Sequence, residues 1–355
     1  MDDLRKRIGF IGGGMMAQVG HLPFYLQDER CEVVSVAESR PSLVEALGAQ
    51  IGRERMVTDH RALLNDPRVE AVIISAPRPA TGTLTLETLE AGKHVLAEKP
   101  MAHSVAQAER LVEAAAARGL TYAVGFMKRY DPGVQRAKAL FDEVIRDGRL
   151  GRLRLARFYD YSNAYAVPPP PHTRPNESRT ERFPVWPSWP DWLPDDYRDT
   201  YAWFVNAASH DVNLLLWFFP TGIEVLSAHC PNEGAVVATM RHDTVPVVLE
   251  IAKTAVGRWI EGAEFLFDRG RIKLTIPSPM AIDRVGDVVL DDAARGLQAA
   301  RLDAGNGWCF ARQATGFIDA LTGASPPLTS GEEGLADMVL TEQIWEKIVE
   351  PANHE

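Results

Sequence analysis

Arg7-Ile8-Gly9-Phe10-Ile11-Gly12-Gly13-Gly14-Met15-Met16-Ala17 is the stretch on which the fold turns. A short apolar strand runs into a glycine turn and then into a helical stretch that continues through Leu26. Gly12 is placed for the tight turn and Gly14 for close approach of the backbone to a pyrophosphate. Ala17, in the third position, allows the helix to pack closely on the strand. The start of such a helix offers free N–H groups and about half a positive charge to phosphates.

Working outward, the next strand, Cys31 to Ala37, ends in Glu38, at the distance expected of an acid that bonds a ribose diol. Like-charge repulsion between Glu38 and a 2'-phosphate points to NAD. Ser39 and Arg40 can instead cradle that phosphate, which keeps NADP open. The plain structural role for Glu38 is to favour the dipole of a helix from Pro41 to Gly48. The alternation continues with strands at Val69–Ile74, Lys93–Ala97 and Thr121–Gly125, and with helices from about Ala80 to Ala91 and Ser104 to Arg118. Strand and helix trading places predicts a doubly wound parallel sheet covered on both faces, a Rossmann-type α/β domain over residues 1–126.

The fourth of these strands closes on Ala97-Glu98-Lys99-Pro100. A residue before proline is pushed into an extended conformation, so Lys99 has little backbone freedom. At the carboxyl end of an internal parallel strand its ammonium faces the crevice where such sheets hold ligands, and there it can orient a hydroxyl or carbonyl. Taken alone, a Lys-Pro reads as a surface lysine at a strand end.

Gly12 to Ala17, Ser75-Ala76-Pro77, Ala91-Gly92-Lys93-His94-Val95-Leu96-Ala97-Glu98-Lys99-Pro100 and Gly125-Phe126-Met127-Lys128-Arg129-Tyr130-Asp131-Pro132 together resemble the Gfo/Idh/MocA family: glucose-fructose oxidoreductase, inositol dehydrogenase and rhizopine-catabolism proteins. Order and spacing agree, closely up to Pro132 and more loosely after it. The resemblance implies cofactor contacts at Gly12, Gly14, Met15, Met16, Glu38, Ser39, Arg40, Ser75, Ala76, Pro77, Glu98 and Lys99. It also implies a second domain, residues 127–355, with an open-faced sheet. Closely spaced strands at Leu153–Tyr159, Ile223–His229, Ala235–Met240, Val245–Lys253, Glu261–Phe267, Arg271–Ile276 and Met280–Val285 predict a largely antiparallel sheet there. A helix from about Gly133 to Arg146 precedes that sheet. Two helices follow it, Phe310 to Leu321 and Glu332 to Val349, the first with an apolar face at Phe310, Ala314, Phe317, Ile318 and Leu321.

Between the halves lies an insertion at about 167–196, rich in Pro and Trp. Trp186, Trp189 and Trp192 recur every third residue, the period of a polyproline II ribbon that stacks indoles along one edge. One reading is a lid over the substrate, with Trp186 for a sugar ring and Arg174, Arg179 or Arg182 for an anionic group. The other is an arm packed on the protein's own surface or on a neighbour. Asn206-Ala207-Ala208-Ser209-His210 follows. Asn206 and His210 share one face if the helix has already begun there. His210 titrates near neutrality and suits proton transfer at a hydroxyl. Relatives of this kind carry Asp-x-x-x-His; here Asn206 replaces the aspartate, donating and accepting hydrogen bonds without a charge. Asp211 is placed to cap that helix, and Asn213 to face the site. Arg129 and Trp186 complete the expected substrate contacts.

Composition narrows the classes. A net charge of -10 over 355 residues, with no concentrated Lys/Arg stripe, argues against nucleic acid. No apolar run approaches a membrane span, and the start lacks a signal-peptide core. Three scattered cysteines, Cys31, Cys230 and Cys309, suggest neither disulfides nor a metal site, so a reducing cytoplasm is expected. The expected protein is an NAD(P)-dependent sugar, cyclitol or polyol dehydrogenase or ketoreductase, NAD preferred, working as a homo-oligomer (dimer or tetramer). Its rivals are an NAD-dependent glycosidase or lyase acting through transient oxidation, and a non-catalytic dinucleotide sensor.

Overall fold

The apolar runs before Phe126 become one parallel sheet in the computed structural model, which describes residues 5–161, 167–178, 183–254 and 257–350. The strands are β1 (Lys6–Ile11), β2 (Cys31–Ala37), β3 (Met56–Val57), β4 (Ala71–Ile74), β5 (His94–Ala97) and β6 (Tyr122–Val124). Their order is β3-β2-β1-β4-β5-β6, so the winding reverses between β1 and β4, where doubly wound sheets open a ligand crevice. Register is tight at that point, with Ile8 opposite Ala71 and Ile11 opposite Ile74. All four residues of β4 are buried, as a strand covered on both faces requires. Connecting helices are α1 (Leu22–Gln27), α2 (Pro41–Ile51), α3 (His60–Leu64), α4 (Arg78–Glu90) and α5 (Val105–Ala116). Sequence reasoning passed over β3 and α3: two residues make no periodic signal, and α3 is a single turn started by the Asp59 side chain, which accepts from the Arg61 N–H.

Contacts divide the chain into two units. The first takes in Met1–Phe126 together with Pro169–Pro190 and Phe310–Leu335; the second is Met127–Pro168, Asp191–Cys309 and Ala336–Glu355. Two pieces from beyond Phe126 are therefore part of the first unit. The expected apolar face of the late helix explains one of them: Ala314, Phe317 and Ile318 pack into the core formed by Ile8, Phe10, Val33, Val36, Ile73 and Leu96. Thr329 satisfies the edge strand β6, its carbonyl accepting from the Val124 N–H at 2.8 Å and its hydroxyl donating to the Val124 carbonyl at 2.7 Å.

The second unit holds an eight-stranded sheet. Its strands are β7 (Leu153–Asp160), β8 (Ile223–Asn232), β9 (Ala235–His242), β10 (Val245–Ala252), β11 (Glu261–Phe267), β12 (Gly270–Ile276), β13 (Asp287–Asp292) and β14 (Leu297–Leu302). The order is β14-β13-β12-β11-β7-β10-β9-β8, and only β7 with β10 is parallel. Alternation along β9 and β10 buries Val236, Ala238, Met240, Val247, Leu249 and Ile251 on one face. Helices α6 (Pro132–Asp147) and α7 (Arg198–Phe218) pack against the sheet. Phe265 anchors the contact, with ring centroids 4.6 Å from Phe218 and 4.7 Å from Phe141. Two further helices, α8 (Cys309–Leu321) and α9 (Gly331–Val349), close the chain. No helix among the described residues is long and apolar enough to cross a membrane.

One expected strand is absent. Met280–Val285 forms turns, with the Ala281 N–H on the Ser278 carbonyl at 2.9 Å and the Arg284 N–H on the Ala281 carbonyl at 3.2 Å. Pro277 and Pro279 have no N–H to give a ladder, and burial of Met280 and Ala281 in a loop mimics a strand's apolar run. The sheet instead gains β13 and β14 beyond it.

Candidate functional site

The residues that follow each strand of the six-stranded sheet share one edge. The hydrogen-bond ladder runs one step past the strands: Gly12 donates to Ala37, Ser75 to Ile11, Glu98 to Ile74 and Glu38 to Val57, each at 2.9 Å, and Gly125 to Ala97 at 2.7 Å. Gly12, Glu38, Ser75 and Glu98, all expected at a cofactor, are brought together by strand register alone. Gly12 has a φ of +95°, and a Cβ there would lie 2.2 Å from the Ser75 carbonyl oxygen, so no side chain fits. A Cβ at Gly14 would meet nothing nearer than an Arg40 nitrogen at 3.7 Å, which leaves the turn open to a ligand.

Helical structure begins at Met15, as the sequence suggests, but over Ala17–His21 the backbone widens into a π-turn before α1. That turn carries His21, which sequence reasoning did not single out. Its ring is 1% exposed, and Nε2 lies 2.7 Å from Glu98 Oε1. The glycine-turn helix is thereby tied to the loop that presents Lys99. Lys99 itself is half-buried, and its bond to Pro100 is cis.

At the ribose end, Glu38 is 1% exposed and accepts from the Gly13 N–H at 2.9 Å. Arg40 grips the same carboxylate with Nε at 2.9 Å and a terminal nitrogen at 2.7 Å. These bonds hold the guanidinium above its ordinary pKa even though burial works against it. Glu38 thus does more than lead α2. The Ser39 hydroxyl is buried and has no partner among the described residues, an orphan polar atom between Glu38 and Arg40 in sequence. A glycine cradle, a buried acid and an unpartnered hydroxyl in a row fit a dinucleotide.

In the second unit, α7 begins at Arg198, eight residues before Asn206, so Asn206 and His210 lie one turn apart on one helix face. His210 is 7% exposed and Asn206 half-buried. Asp211 is no cap: it sits in mid-helix, 1% exposed. Asn213, expected to face the site, is 1% exposed and donates to Asp337 at 2.7 Å. Arg129, 2% exposed, donates to the Asn213 carbonyl at 3.0 Å and lies 5.5 Å over the Trp217 ring. Trp186 lies in the first unit, against Gly82 of α4 and 5.0 Å from Arg110 of α5, whereas Trp192 donates to Glu342 in the second. These two indoles have separate partners. Arg179 and Arg182 lie outside the described residues.

A charged group unforeseen from sequence lies inside the second unit. Lys128 contacts Glu261, whose other oxygen accepts from the Trp259 indole at 2.7 Å, while Asp160 and Asp211 act on the same pair. Burial pushes Glu261 up to about 7 and Asp211 well above the carboxylate range, each reinforced by the neighbouring acids and opposed by Lys128. Asp131, from the same motif as Lys128, starts α6 by accepting from Gly133 and Val134 at 2.7 and 3.1 Å.

Fold and edge together define a chain with an NAD(P)-binding Rossmann domain and a second α/β unit. Residues 6–126 match the oxidoreductase family with NAD-binding Rossmann fold, GFO/IDH/MocA. Over these residues, about a third of its length, the chain is similar to the Gfo/Idh/MocA oxidoreductases. Inositol 2-dehydrogenase of Acidothermus cellulolyticus is 27% identical over 255 residues, 72% of this chain and 65% of that protein. Inositol 2-dehydrogenase of Pseudomonas fluorescens is 35% identical over 148 residues, covering 41% of this chain and 43% of that one. Both matches thus span less than two thirds of the relative. Among solved structures, a 3-ketoreductase from Actinomadura kijaniata in complex with NADP and TDP-benzene has the same fold, with a TM-score of 0.75, 20% identity, and coverage of 97% of this chain and 98% of that one.

Proposed function

We propose that the chain is an NAD(P)-dependent oxidoreductase that interconverts a hydroxyl and a ketone on a sugar, cyclitol or related polyol, with NAD the preferred cofactor. The observation that carries this reading is the row Gly12, Glu38, Ser75 and Glu98 along one sheet edge, with Lys99 next in line. The inositol dehydrogenases among its relatives support the substrate class. The Glu38–Arg40 pair supports NAD, because the one cation nearest the ribose end is already matched by a carboxylate.

A bound nicotinamide supplies the hydride acceptor or donor. The chain's own residues do the rest. The Lys99 ammonium donates to the reacting oxygen and stabilises its developing negative charge. His210 takes or returns the hydroxyl proton, a service commonly worth about 100- to 10,000-fold. Asn206, one turn away, holds a substrate hydroxyl without raising the basicity of His210, as an aspartate would. We assign Arg129 to positioning α7 through the Asn213 carbonyl, since its side chain is buried there. The test is a nicotinamide-absorbance screen of sugars and cyclitols with NAD and NADP in both directions. Reduction of NAD by at least one polyol is expected; substrate cleavage without net absorbance change, or no turnover on the whole panel, overturns the reading.

A further inference from the structure

The Pro/Trp-rich segment lies across the dinucleotide edge of its own unit. Thr173 and Gln18 exchange two hydrogen bonds, at 2.9 and 3.0 Å, and Gln18 also donates to the Gly13 carbonyl at 2.8 Å. The segment is therefore pinned at the glycine turn. Further along, the Asn176 N–H meets the Ser42 hydroxyl at 3.3 Å. Glu177 Oε1 then accepts from both the Ser42 N–H and the Ser42 hydroxyl, each at 2.9 Å. Beyond the undescribed residues, the Phe183 ring lies 5.5 Å from His60, the Pro184 carbonyl accepts from Thr83 at 2.6 Å, and the Pro187 carbonyl accepts from Gln107 at 2.9 Å. The contacts pass from the glycine turn to the starts of α2 and α3, the middle of α4 and the first turn of α5.

Glu177 is the contact with a chemical consequence. Ser42 is the second residue of α2, so the carboxylate takes one of the N–H groups that the start of the helix leaves without an intrahelical partner, where the dipole favours an anion. Arg40 feels Glu177 as well as Glu38. Rossmann sites that take a 2'-phosphate do so with a cation and free donors just past the second strand. Here the guanidinium is gripped by one carboxylate, and the Ser42 amide and hydroxyl by another.

We propose that Glu177 is a cofactor-specificity residue: carried by the insertion to the start of α2, it fills the donors a 2'-phosphate would need and sets a second negative charge against it. This rests on the edge holding a dinucleotide. A 2'-phosphate brings a charge of about -1.5 to -2, and like charges brought together at a recognition site oppose binding. Discrimination thus comes from a repulsive element placed in the groove as well as from Glu38.

The test is calorimetric titration of NAD and NADP into the full chain, unaltered and with Glu177→Gln or Glu177→Asp. The unaltered chain is expected to bind NAD more tightly. Glu177→Gln lowers the ratio of the NADP to the NAD dissociation constant about tenfold, and Glu177→Asp, which keeps the charge, leaves it within about twofold. NAD binding with the ratio unmoved by Glu177→Gln, or moved equally by Glu177→Asp, overturns the role of Glu177 alone. An unaltered chain that prefers NADP does the same. Failure of both dinucleotides to bind the unaltered chain overturns the cofactor reading together with the proposal.

Discussion

The dinucleotide edge and the charged interior of the second unit are assembled on opposite plans. The edge is built mostly from backbone: residues one step past β1, β2, β4 and β5 line up because the strands are in register, and a glycine is needed where the Ser75 carbonyl comes close. The interior is built from side chains that four separate segments bring together, Lys128 before α6, Asp160 at the end of β7, Asp211 inside α7 and Glu261 at the start of β11. A backbone site survives changes in most of its side chains. A buried charged cluster depends on each member's protonation, because an unmatched charge in low dielectric is expensive.

The largest effects should fall on the two side chains proposed to touch the reacting atoms, independent of either plan. Lys99→Ala should cut turnover by about 1,000-fold, at the upper end for loss of one donor to a developing oxyanion. The NAD dissociation constant should change little, measured by titration beside steady-state rates. His210→Asn should cost about 100-fold, with the rate losing its dependence on pH near neutrality. A fully active Lys99→Ala protein would remove that ammonium from the chemistry.

Gly12→Ala probes the backbone plan directly. The methyl group must enter at 2.2 Å from a carbonyl oxygen with φ at +95°, so β1 and the β4 loop must part. We expect NAD binding to weaken more than tenfold and stability to fall by roughly 1–3 kcal/mol, read from titration and thermal melts. Unchanged affinity would mean that the ligand does not approach the turn.

The same contrast decides what could be read in advance. Strands such as Cys31–Ala37 and Glu261–Phe267 were legible to the residue, the first as a valine-rich run and the second as a run ending in Phe265-Leu266-Phe267 before the turn Asp268-Arg269-Gly270. Gly12 and Glu38 were legible as a consequence, since each follows a recognisable strand, whereas Ser75 and Glu98 were expected from the family resemblance. His21 was not, for nothing in Gln18-Val19-Gly20-His21 announces a π-turn or a partner 77 positions on. The insertion's composition stood out, but its destination on α2 depends on one glutamate finding Ser42 across 135 residues. Met280–Val285 misled because an apolar run reads alike as strand and as buried loop. The charged cluster left no trace, each member being one ordinary polar residue in its own segment.

Asp211→Asn tests whether that cluster behaves as burial demands. Burial, with help from Glu261 and Asp160, raises the Asp211 pKa well above its ordinary value, so the folded chain keeps a proton that the unfolded chain has released. Above the unfolded carboxylate range, the folded state therefore binds more protons, and stability falls as pH rises, by up to about 1.4 kcal/mol per pH unit for one proton. Glu261, pushed up to about 7, adds to the same slope until it too ionises. His103 opposes it: burial, aided by Arg78, lowers its pKa to about 4, so its contribution rises with pH until the unfolded histidine is neutral. The two trends mix in the unaltered protein, and the difference between proteins separates them. Asparagine matches the neutral acid and cannot ionise, so the stability of Asp211→Asn relative to the unaltered chain should rise steadily from pH 5 to pH 7, measured by urea unfolding. Parallel stability curves across that range would mean that Asp211 is already ionised in the fold, and the second unit's interior would then hold its charges paired.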